Sequence, residues 1–179
     1  LFFHSATIFW LRQGTKTPVP EPDGAFFYDF ASVAVLARSI LETYLIMFEV
    51  FFEPAADDER EFRHTLWLLS GFVIRENHMP LDPTSFDTIA QSEREIEEMR
   101  DRIRRTNTDA LLTDRQKRRV LKGEPLRRKR EERLRAAGFG PETFTGSYRY
   151  LSGYVHSDGL SAAQIVQAET KEAQVEYIK

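Results

Sequence analysis

The stretch Arg149-Tyr-Leu-Ser-Gly-Tyr-Val-His156 sets a fixed cation and a titratable base seven residues apart. Seven helical residues advance roughly 700°, about 20° short of two full turns, so both side chains leave one face. Ser152 lies between them at helical neighbour spacing. A guanidinium that grips phosphate beside an imidazole that moves a proton near neutral pH suits phosphodiester chemistry. In that role His156 is the general acid/base and Arg149 holds the developing charge. The axial separation, roughly 10.5 Å, opposes direct contact, and helical side chains lean toward the N-terminus, which carries Arg149 away from His156. Joint action then requires a bend at Gly153, a substrate spanning two turns, or a second subunit. The same side chains can equally serve as a hydrogen-bond cluster against a neighbouring helix.

Arg38 and Glu42 stand four apart on an otherwise apolar stretch, with Glu49 on the same stripe. They read either as orienting groups for Arg149 or His156, or as structural ion pairs. Desolvating an ion costs several kcal/mol in practice, so these charges should meet polar partners from another helix. Glu61-Phe-Arg-His64 matches one Glu-x-x-His step of a di-iron bundle, but a second such step is absent. The His at 4, 64, 78 and 156 lack ligand spacing, and no metal site is expected.

Arg115 to Arg135 holds eleven basic residues against Glu124, Glu131 and Glu132, a net +8. Arg118, Arg119, Lys122, Arg127, Arg128, Lys129 and Arg130 are its candidate phosphate contacts, and such binding would weaken with salt. A solvated helix face is the alternative. Aromatic residues for base stacking are missing from this run. Phosphate loops and nucleophile elbows are absent, so no cofactor is expected.

The elements that position these residues show helical periodicity and caps, without convincing strand alternation. Phe26 to Glu53 reads as one long helix stopped by Pro54, and Asp57 or Asp58 as the cap of the next, which closes at His78-Met-Pro80. From Ser85 to Thr108, Ile89, Ile96, Met99 and Ile103 make a two-per-heptad stripe, the pattern of a coiled-coil-like arm. Thr113-Asp-Arg-Gln116 is a capping box, Leu126 to Ala137 a short basic helix, and Gly138-Phe-Gly-Pro141 a turn. The helix of Arg149 and His156 follows, with Tyr148, Leu151 and Val155 as its apolar stripe; a last helix opens at Ser161. The expectation is an all-α bundle of five to seven helices, one domain over 1–179, with a charged helical arm or hairpin at 85–137.

The chain has 179 residues, 41% hydrophobic and 30% charged, with no cysteine. That excludes disulfide scaffolds and thiolate chemistry and fits a reducing, cytoplasmic setting. Both ends read as cuts through helices, as in part of a longer chain. Val33 to Phe52 has the length of a membrane span but carries Arg38, Glu42 and Glu49, so no membrane partner is expected.

The Arg-x6-His spacing resembles the HEPN superfamily of helical proteins, many of them metal-independent ribonucleases that act as dimers in bacterial defence. That resemblance implies Arg149 and His156 as a catalytic pair in a cleft shared by two copies; Tyr150 departs from the polar residue often found after the Arg. The chain is also similar, from about Phe26 to Gln164, to an uncharacterised bacterial helical family. The residues that carry this are Ala37-Arg-Ser-Ile-Leu-Glu42 and Tyr148-Arg-Tyr-Leu-Ser-Gly-Tyr-Val-His156. It groups Arg38, Glu42, Ser152 and His156 as one polar cluster. The function these imply is RNA binding or cleavage, with RNA and a second copy or a partner helix as partners. The rival is a non-enzymatic interaction scaffold in which the cluster is structural.

Overall fold

A computed structural model describes residues 2–16, 26–27, 29–78, 86–126, 128–156 and 163–164. The fold is all-α. Among the described residues there are eight α-helices: α1 (Phe2–Leu11), α2 (Phe30–Met47), α3 (Asp57–His78), α4 (Phe86–Arg104), α5 (Asn107–Ala110), α6 (Asp114–Leu121), α7 (Arg130–Ala136) and α8 (Pro141–His156). The one more than expected is the single turn α5. The only β pairing described is two residues long, Thr15–Lys16 antiparallel to Phe26–Phe27. The helix expected from Ser161 lies outside the described residues, apart from a helical pair at 163–164.

That pairing draws Phe26 and Phe27 into extended backbone, so the long helix begins at Phe30 rather than Phe26. Asp29 caps it, its carboxylate accepting the Ser32 N–H at 2.9 Å. The helix continues past Met47 as a π-helical turn, Phe48–Phe52, closed by the Glu53 N–H donating to the Phe48 carbonyl. Asp57 and Asp58 fall inside the first turn of α3 rather than capping it. Asp57 pairs with Arg60, while Asp58 reaches across sequence to the start of α5, accepting from the N–H groups of Asn107 and Thr108 at 2.9 Å each. The capping box at Thr113 and Gln116 forms as read, with both reciprocal bonds present. Helix α7 starts at Arg130, four residues later than the basic run suggested.

The chain divides into two compact units. One comprises Leu1–Ile46 with Gly138–Lys179, the other Met47–Ala137. In the second, α4 returns antiparallel along α3: Arg102 meets Glu61 near one end, and Arg75 reaches Ser92 near the other. The narrow stripe that reads as a free-standing arm is in fact a core seam. Ile96, Met99 and Ile103 bury against Phe62, Leu66 and Leu69, and Val120 of α6 closes the cluster. Two apolar positions per heptad suffice because α3 supplies most of the cover on that face, with Val120 of α6 completing it. Gly123, at φ +74°, ends α6 where a β-carbon would meet Val73 at 3.2 Å. In the first unit, Phe30 and Ala34 of α2 pack on Tyr154 of α8.

Leu69 is fully buried at the centre of the second core. Leu69→Ala should therefore cost about 2–5 kcal/mol in denaturant unfolding. Leu111→Ala, at a position 85% exposed, should change stability by less than about 0.5 kcal/mol.

Candidate functional site

Helix α8 is held by its tyrosines. Tyr148 and Tyr154 are buried, Leu151 is half-buried and Val155 is 44% exposed. The buried seam thus follows Tyr148, Leu151 and Tyr154, and Val155 turns outward from the stripe expected of it. Tyr154 stacks edge-on against Phe30 at 5.9 Å between ring centres and donates its hydroxyl to Gln164 at 2.7 Å. Tyr148 is the hub on the other side. Its hydroxyl accepts from Arg38 and donates to Glu42, and the Arg38 guanidinium lies 3.6 Å from the Tyr148 ring centre. Arg38 Nη1 also approaches Glu42 Oε1 at 2.7 Å, an ion pair whose angle falls outside hydrogen-bond geometry. The structure thus brings Arg38 and Glu42 together with Tyr148. The orienting contact expected from Glu42 is made to the residue before Arg149.

Arg149 and His156 are both exposed, and Ser152 between them is half-buried. Among the described residues neither Arg149 nor His156 has a hydrogen-bond or ion-pair partner. Helix α8 is continuous through Gly153. A two-turn substrate or a second copy is what can join them.

The other charges of the central helix are spent on structure. Glu53, just past the π turn, receives Arg128 through both terminal guanidinium nitrogens at 2.6 Å and Arg63 at 2.6 Å. Glu49 receives Arg133 Nε at 2.9 Å, and its carbonyl accepts from Arg63 at 2.8 Å. Arg133 is itself buried. These carboxylates sit at the negative end of a helix dipole, where acids are disfavoured, and three arginines from α3 and the α7 region offset that. Burial pushes the Glu53 carboxyl up, but the hydrogen bonds from Arg128 and Arg63 together hold it below its ordinary 4.5.

This network reshapes the basic run. Arg128 is committed to Glu53, Arg119 to Glu124 at 2.9 Å, and Lys117 approaches Asp109 at 3.7 Å. Arg130 is half-buried and engaged, and Arg127 lies outside the described residues. Arg118, Lys122 and Lys129 are exposed and unpaired among the described residues. The Glu61-x-x-His64 step is likewise in use: Glu61 binds Arg102, and His64 stacks on Trp67 at 6.1 Å. Trp67 lies beside His64 on a helical stripe with Gly71 and Ile74, apart from the core stripe of Phe62, Leu66 and Leu69, and Phe51 of the π turn meets it there.

Compared with known proteins, the chain matches no protein-family model, no curated protein and no solved structure.

The lowered Glu53 carboxyl carries a sign for acid stability. A depressed folded-state pKa contributes stability that is present above about pH 4.5 and lost as pH falls through the folded value. Glu53→Gln should cost roughly 1 kcal/mol at pH 7, and its melting temperature should fall less than that of the wild type between pH 5 and pH 3. Parallel melts of both proteins check this.

Proposed function

We propose that the chain binds RNA and cleaves its backbone without a metal, at a site built from the outward face of α8 in two copies. The observation that carries this reading is a contrast. Most arginines facing the interior are paired, yet Arg149 and His156 have no partner among the described residues, on a helix anchored elsewhere by Tyr148 and Tyr154. An unneutralised guanidinium and imidazole on a fixed, exposed helix are placed to meet an anionic substrate rather than to stabilise packing.

In this reading His156 removes the proton of a ribose 2′-hydroxyl, and the oxygen attacks the adjacent phosphorus. The bond to the 5′-oxygen breaks, and that oxygen takes a proton from the second copy's imidazolium or from water. The products are a 2′,3′-cyclic phosphate and a free 5′-hydroxyl. Arg149 stabilises the extra charge on the phosphorane, and Ser152 donates a hydrogen bond beside it. Arg38 and Glu42 position α8 through Tyr148. Arg118, Lys122 and Lys129 supply part of the backbone attraction, with salt dependence set by these unpaired cations rather than by the full +8. No membrane partner enters this reading.

The non-enzymatic scaffold is favoured for one part of the site. Tyr148, Arg38 and Glu42 join α2 to α8, which is work that packing alone requires.

The test is cleavage of end-labelled single-stranded and structured RNA in excess EDTA. Wild type should generate cyclic-phosphate ends. His156→Ala and Arg149→Ala should each slow cleavage by about 10²–10⁴-fold with melting temperature unchanged. Equal, negligible cleavage by wild type and His156→Ala would overturn the nuclease reading and leave the scaffold.

A further inference from the structure

We propose that Phe51, His64 and Trp67 form a stacking site for a nucleobase. Phe51 comes from the π turn and the other two from α3. Ring centres lie 5.4 Å apart for Phe51 and His64, 6.2 Å for Phe51 and Trp67, and 6.1 Å for His64 and Trp67. His64 and Trp67 are near-parallel and stacked, at 27°. The cluster is open to solvent: Trp67 is 46% exposed and Phe51 37%. Beside it is a cavity of ≈ 160 Å³ lined by Phe51, Asp57, Arg60, Glu61 and His64.

Charge around the cavity decides which planar ligand fits. An aromatic wall with free carboxylates would favour a cation. Here Asp57 is paired with Arg60 at 2.5 Å, and Glu61 is taken by Arg102. The rim therefore offers no unpaired carboxylate among the described residues. The polar group left over is His64, whose ring has no hydrogen-bond partner among the described residues. A neutral heterocycle with donors and acceptors on its edge uses both features. Its faces stack on the rings, and its edge meets the imidazole and the Arg60 guanidinium. The ring can belong to a free nucleotide or to a base splayed from a single strand; the chemistry at the rings is the same. This site lies wholly within the second unit and does not depend on the reading of α8.

Trp67 reports its own occupancy once Trp10→Phe removes the other tryptophan. Titration with AMP should quench Trp67 emission saturably, while ribose 5-phosphate, which lacks the base, should not. His64→Ala should weaken AMP binding about tenfold or more, and His64→Phe, which keeps a ring but loses the ring nitrogens, should recover only part of it. Tighter binding of an eight-residue oligoadenylate than of AMP assigns the site to single strands, and equal binding assigns it to free nucleotide. Either result supports the stacking site. The proposal is overturned if AMP and ribose 5-phosphate act alike, if neither AMP nor the oligonucleotide quenches, or if folded His64→Ala binds as wild type. Should His64→Ala fail to fold, the wild-type His64 ring protons decide: AMP should shift them upfield in NMR spectra, and no shift counts against the site.

Discussion

A long apolar helix that carries four ions must find counter-charges for all of them, and much of this molecule follows from that requirement. Arg38, Glu42 and Glu49 lie within the stretch Phe30–Phe52, and Glu53 is the residue that ends it. Removing such groups from water costs several kcal/mol per ion unless charge and hydrogen bonds replace the lost solvation. Arg38 and Glu42 pair with each other and share the Tyr148 hydroxyl, while Arg38 Nε and Nη1 stay buried with no hydrogen-bond partner among the described residues. Glu49 and Glu53 cannot pair with each other, because both are acids at the C-terminal end of a helix. They draw Arg63 from α3 and Arg128 and Arg133 from the basic run, which ties two separate stretches of one unit to the π turn.

That recruitment has a functional consequence. A basic run with a net +8 looks like a phosphate-binding surface, but its members differ in what is left to offer. Arg128 and Arg133 face inward to acids, and Arg119 pairs locally, while Arg118, Lys122 and Lys129 point to solvent. Against this background of neutralised charge, Arg149 and His156 stand out by having no such partner among the described residues. The tyrosines beside them bear the packing load, so α8 can keep one face fixed and the other chemically available.

Much of the architecture was legible in the residues themselves. Pro54 and the capping box at Thr113 and Gln116 mark boundaries through local chemistry, and the structure obeys them. What was hidden depends on distant partners. Asp58 looks like a local cap and instead serves α5 some fifty residues away, because its carboxylate can reach two unsatisfied N–H groups there. The Ile96–Ile103 stripe carries the same pattern whether its partner is another chain or α3. The phase of α8 was read one residue off, since Tyr154 and Val155 are both apolar enough to bury and only the contact with Phe30 chooses between them. At the candidate site, the spacing of Arg149 and His156 was readable and their exposure was not. The Arg38–Glu42 pair was readable, but its attachment through Tyr148 required the fold.

The ions of the long helix are held by specific partners, and this pairing decides which cations remain exposed. A double-mutant cycle between Glu49 and Arg133 tests it most directly. Arg133 is the most buried cation of the network and donates to Glu49 at 2.9 Å. With Glu49→Gln and Arg133→Met measured singly and together by denaturant unfolding, the account expects a coupling energy of about 1–3 kcal/mol, the double variant being less destabilised than the sum. Additivity within about 0.5 kcal/mol would contradict it, because the two charges would then be buried without depending on each other.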